Sequence, residues 1–147
     1  MDLQAFLRPE VLPAREMEVI LSERFCDQDG NPVPFKLKGI SEDENSRIRR
    51  SCQRQNHNGT DAPVFDRENY LRAFTAACVV SPDLKNQSLQ QSWGVMGAEA
   101  LIGVMLTAGE FAKLFAAARE VCGFISGSEA ETVKNTLKKD CGRETVN

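Results

Sequence analysis

A chain of 147 residues, 41% hydrophobic and 27% charged, is long enough to bury one real core and has the make-up of a single soluble domain. Its formal net charge of −3 and pI near 5.3 argue against a dedicated nucleic-acid binder, which concentrates a basic excess on one face. No apolar run is long enough to span a bilayer, and the N-terminus MDLQAFLRPE lacks the basic flank and apolar centre of a signal peptide, so no membrane is expected as a partner and the chain should stay in the cytoplasm where it is made.

Asp2 to Leu7 can form one helical turn that gathers Leu3, Phe6 and Leu7 and ends at Pro9. From Arg15 to Phe25, Met17, Val19 and Leu21 alternate with Glu16, Glu18 and Ser22, which is strand period with one face buried. Asp29-Gly30-Asn31 turns the chain, and Val33 to Ile40 returns with Phe35 and Leu37 set against Lys36 and Lys38. A β-hairpin is predicted. Because a lone hairpin is only marginally stable, its apolar side must rest on helices or on another strand.

Ser41 and Glu44 have capping-box spacing and open a helix expected from about Glu42 to Gln55, with Ile48 and Cys52 as its main apolar residues. Arg47, Arg49, Arg50 and Arg54 make it basic. Arg47, Arg50 and Arg54 are candidate partner contacts for an anionic surface, and the competing reading is a solvated face whose arginines offset Glu42, Asp43 and Glu44. Gln55 to Gly59 reads as a loop holding the single histidine, His57. Asp66 caps a core helix predicted from Arg67 to Val80, with Tyr70, Leu71, Phe74, Ala77 and Cys78 on its buried face.

From Val79 to Phe124 start and stop signals follow one another closely. Ser81 as N-cap, Pro82 at the first helical position and Asp83 in the first turn predict a short helix, which Gly94 ends in the left-handed conformation. A second helix, about Gly97 to Leu106, carries Leu101, Ile102, Met105 and Leu106 on one face. Thr107 and Glu110 form a capping box for a third, ending near Cys122, with Phe111, Leu114, Phe115, Ala118, Val121 and Cys122 at three-and-four spacing and Gly123-Phe124 as its stop. Trp93 and Phe111 are the two aromatics for which core packing and partner contact compete. Core is favoured for both, since large aromatics beside helix stops fix turns by packing. Ser128 and Glu131 start a final helix, Glu129 to Lys139, with only Val133 and Leu137 to bury. Residues 1–126 are therefore expected to form the domain, and 127–147 to be loosely docked or disordered.

The fold class that results is α+β: a mostly helical single domain with an N-terminal β-hairpin and about five α-helices. No catalytic, cofactor-binding or metal constellation emerges. His57 stands in a polar loop without a positioned acid or thiol, zinc-ligand spacing is absent, and Gly94, Gly97, Gly103 and Gly109 do not have phosphate-loop spacing. The five cysteines, Cys26, Cys52, Cys78, Cys122 and Cys141, have no paired spacing and read as free thiols, with Cys78 and Cys122 slow to react and Cys141 fast.

Four motifs in order, Pro82-Asp83-Leu84, Trp93-Gly94, Leu106-Thr107-Ala108-Gly109-Glu110-Phe111 and Gly123-Phe124, resemble the signature region of the XkdN-like phage tail assembly chaperones. The likeness extends upstream to Phe35-Lys36-Leu37-Lys38-Gly39-Ile40 and Tyr70-Leu71, and so covers roughly 34–124. It implies a non-enzymatic protein without cofactors, acting in the host cell cytoplasm. The tape measure protein would be its partner, kept soluble while the tail tube polymerises, with the tail tube protein as a second candidate partner and self-association left open. The other reading is a structural tail or baseplate subunit retained in the particle.

Overall fold

Phe35 and Leu37 alternate with Lys36 and Lys38, and this makes strand β2 (Phe35–Lys38) the middle of a sheet: the two apolar side chains are buried and both lysines are exposed. The computed structural model describes residues 3–54 and 64–124, with the backbone alone for Arg54. Strand β1 (Glu16–Val19) pairs antiparallel with β2, Met17 opposite Leu37 and Val19 opposite Phe35. On the outer face Lys36 Nζ lies 3.8 Å from a Glu18 carboxylate oxygen, an exposed pair of small energetic weight. The predicted turn is present. The Asp27 carboxylate accepts the amides of Asp29 and Asn31, Gly30 takes φ +85°, and Cys26 bridges Pro32. Between the turn and the ladder the strands part, and Leu21 drops into the core.

Helix α1 (Glu42–Ser51) starts at Ser41, whose hydroxyl accepts the Glu44 amide at 3.1 Å, one half of the expected box. It ends four residues earlier than the expected Gln55. Gln53–Arg54 form a short strand, β3, paired antiparallel with β4 (Val64–Phe65). The Cys52 carbonyl accepts the Asp66 amide at 2.7 Å, which ties the helix end to the next cap. Helix α2 (Arg67–Cys78) is capped by Asp66 as expected. Asn45, buried on α1, accepts a 2.6 Å hydrogen bond from the Tyr70 hydroxyl, so the polar spot between α1 and α2 is satisfied.

The helix expected to run through Val80 stops at Cys78, and Val79–Ser81 become β5, the third strand, antiparallel to β2. Two β-branched residues followed by a residue that precedes proline favour extended backbone. Leu37 faces Val79 and Lys36 faces Ser81, so the register slips by one residue, and Val80 is left exposed. The Ser81-Pro82 peptide is cis, and the helix expected from Ser81 does not form there. Asp83 instead makes a turn, its carboxylate accepting the Lys85 amide, and helix α3 (Gln87–Ser92) begins under an Asn86 cap. Gly94 ends it at φ +69°, as predicted.

Helices α4 (Ala98–Met105) and α5 (Ala108–Val121) follow the expected bounds closely, and the Thr107–Glu110 capping box is complete. Helix α5 packs on β1 and β2, while α2 packs on α1, α4 and α5. Phe74 of α2, 2% exposed, sits at the junction with its ring against Tyr70, Phe115 and Phe124. The N-terminal segment forms two 3-10 turns, Leu3–Phe6 and Arg8–Glu10, with Leu3, Phe6 and Leu7 exposed. The His57 loop, the helix expected over Glu129 to Lys139 and Cys141 lie outside the described residues.

The end of α5 is a Schellman turn: Phe124 N–H donates to Arg119 C=O at 2.8 Å and Gly123 N–H to Glu120 C=O at 3.0 Å, with Gly123 at φ +89°. A Cβ on Gly123 would meet nothing within 4 Å, so the cost of Gly123→Ala is backbone strain alone, about 1–2 kcal/mol. Gly109 is equally open but has no such φ. Chemical denaturation should therefore show Gly123→Ala destabilised and Gly109→Ala near wild type.

Candidate partner-binding surface

Gln90 holds the loops on both sides of α3: its side-chain amide donates to Leu84 C=O at 2.8 Å and accepts from Gly97 N–H at 3.0 Å. With its loops pinned, α3 ends at Trp93, a residue 40% exposed. This corrects the expectation that Trp93 is core. The aromatic fixes one wall of an open groove of about 380 Å³, whose other walls are Phe25, Val33, Pro34, Pro82 and Leu89, with Met105 from α4. Met96, 90% exposed, lies three residues beyond Trp93. Phe25 packs edge-on against Phe35 with ring centres 5.3 Å apart, and the Arg24 guanidinium lies over the Phe25 ring.

Arg24 is itself held by Glu110, the buried carboxylate of the α5 capping box. Glu110 accepts from the Ser22 hydroxyl at 2.5 Å, from the Thr107 amide at 2.8 Å and from Arg24, which also reaches the Met105 carbonyl. Burial pushes the Glu110 carboxyl upward, but the Ser22 and Thr107 hydrogen bonds and the Arg24 charge outweigh it and hold the group below the usual carboxylate range. Glu110 therefore does two jobs, closing the α5 start and latching the groove's Arg24 wall onto it. Only the capping role follows from spacing.

Phe111 is half-buried, stacked parallel on Phe115 at 6.2 Å, and lines a different cleft with Leu71, Arg72, Ile102 and Leu106. The two aromatics thus serve separate clefts on either side of the end of α4. Arg47 pairs with Asp43 at 3.4 Å and Arg49 with Glu42 at 3.2 Å along the exposed side of α1, which favours the solvated-face reading for Arg47. Arg50 is exposed, and the Arg54 side chain is not described. The four candidates whose side chains are described, Trp93, Phe111, Arg47 and Arg50, do not converge on one site. Sequence reasoning misses Phe25, Val33 and Leu89 as groove walls, because each is an ordinary apolar residue until the loops fold over it. Among the described residues no helix is long and apolar enough to cross a membrane.

Residues 3–135 match the family model described as phage XkdN-like tail assembly chaperone protein. The chain belongs to this family. Among relatives of the XkdN-like chaperone, the uncharacterized protein YqbN of Bacillus subtilis (strain 168) is 27% identical over 139 residues, covering 91% of this chain and 93% of YqbN. The phage-like element PBSX protein XkdN of the same organism is 25% identical over 126 residues, covering 84% and 85% of the two chains. A crystal structure of YqbN superposes with a TM-score of 0.71 at 26% identity, over 84% of this chain and 98% of that one.

The motifs that carried the resemblance are the joints of the XkdN-like fold in this chain. Leu84 of Pro82-Asp83-Leu84 is buried, Trp93-Gly94 ends α3, Leu106 and Glu110 fasten α5, and Gly123-Phe124 closes it onto Phe74. Membership points to a non-enzymatic role in phage tail assembly with protein partners.

Proposed function

We propose that this protein binds the tape measure protein in the host cytoplasm and keeps it soluble until tail tube subunits polymerise around it, with the Trp93 groove as the client contact. The observation that supports this reading is the open apolar groove between the hairpin and α3, with Trp93 on its wall and Met96 exposed nearby. A long helical client exposes apolar residues at three-and-four spacing, and such a stripe seats in a groove of this kind without any chemistry. Aromatic anchors give contact area at low entropic cost, and a methionine adapts to varied side chains.

Tagged tape measure fragment co-expressed with the wild-type chain should be largely soluble and should co-purify with it. Trp93→Ala should weaken that association about 30-fold or more, the scale of a binding hot spot, while melting close to wild type because the residue is already exposed and lies outside the buried core. Arg47→Glu and Arg50→Glu should bind as wild type does. Unchanged binding by Trp93→Ala would move the client site elsewhere. Recovery of the protein in stoichiometric amount from purified tails, by mass spectrometry, would instead make it a structural subunit.

A further inference from the structure

Cys78 and Cys122 are 44 residues apart in sequence, yet their sulfurs lie 3.5 Å from each other. Cys78 ends α2 and is fully buried, whereas Cys122 caps α5 and is half-buried. Both are expected to react slowly, but the two differ in burial: Cys122 is the more exposed and lines an open cleft with Ile40, Ser41 and Phe124. The other described thiols face different groups: Cys52 contacts Ser51 and Asn69, and Cys26 is exposed in the hairpin turn.

We infer that Cys78 and Cys122 form a thiol-modification site, at which a small-molecule disulfide such as glutathione disulfide drives an intramolecular cross-link between α2 and α5. Cys122 starts the reaction because it is the accessible member. Its thiolate, having lost a proton to solvent, attacks one sulfur of glutathione disulfide, bonds to that glutathione and expels the other as a thiolate. Cys78 then attacks the Cys122 sulfur and breaks its bond to glutathione, its proton passing to the departing glutathione sulfur, so that the internal disulfide forms and the second glutathione leaves as the thiol. Two protein thiols are oxidised and one glutathione disulfide is reduced to two glutathiones.

Cys78 does not start the exchange: burial pushes its thiol well up, and Cys122 and Glu44 push it the same way. As the resolving group it needs no access to solvent, only the neighbour it already touches. The cross-link joins the residue before β5 to the residue before the Gly123-Phe124 turn, so it clamps α2 to the end of α5 where Phe124 packs on Phe74.

The test is to incubate the full-length native chain in graded ratios of reduced to oxidised glutathione, block free thiols, digest with trypsin and map the peptides. Cleavage separates the two cysteines into peptides 73–85 and 120–134. The expected product is these two peptides linked, in a protein melting roughly 5–15 °C higher than the reduced form. Cys122→Ser should abolish both the link and the shift, and Cys26→Ser and Cys52→Ser should keep both. A stable glutathione adduct on Cys122 with Cys78 still free would overturn the proposal. Links scrambled among Cys26, Cys52 and Cys122 would overturn it equally.

Discussion

Glu110→Ala is expected to lower the unfolding free energy by about 2–4 kcal/mol, through loss of charged hydrogen bonds and of the reciprocal cap. The carboxylate is 5% exposed and receives Ser22, Thr107 and Arg24, so truncation removes contacts to two segments at once. Arg24 is 46% exposed, which lets water take over part of its solvation and keeps the loss below that of a fully buried pair. In a double-mutant cycle Glu110→Ala and Arg24→Ala should be non-additive, and full additivity would show that the latch contributes nothing.

Acid should act through the same group. Because the folded-state carboxyl lies below its ordinary value of 4.5, the stabilisation is complete above that pH and is lost as pH falls through the depressed value. Urea denaturation between pH 6 and 2 should show this loss in the wild type and a flatter acid limb in Glu110→Gln.

Phe74→Ala should be costlier still, about 3–5 kcal/mol, because the ring is buried and its removal leaves a cavity among Tyr70, Phe115 and Phe124 that rigid helices collapse poorly. Phe74→Leu keeps most of the volume and should recover more than half of the loss. Equilibrium unfolding of the two variants checks this. Near-wild-type stability of Phe74→Ala would mean that the aromatic junction does not hold α2 to α5.

What the sequence disclosed was local. The caps at Asp66, Thr107 and Gly123 involve residues three to five apart, and the alternation in β2 is a property of four neighbours, so each is legible in the order of residues by itself. The third strand was hidden because Val79 and Val80 fit the helical pattern as well as an extended one, and the choice is made by β2, far upstream. The Ser22–Glu110 and Cys78–Cys122 contacts span 88 and 44 residues, distances over which spacing says nothing. Trp93 misled for a related reason: an aromatic beside a helix stop does pack, but here it packs as a wall and not as a floor. The family motifs located the joints of the fold, while the groove depends on unremarkable apolar residues brought together by them.

The proposed client site has a built-in reporter, since Trp93 is the only tryptophan in the chain. Its emission should be followed while a tryptophan-free fragment of tape measure protein is titrated in, with binding measured in parallel by co-sedimentation. If the groove receives the client, the emission shifts to the blue and acrylamide quenching falls, both saturating at the fragment concentration where co-sedimentation does. Saturable co-sedimentation with unchanged emission and unchanged quenching would place the client on another face of the protein.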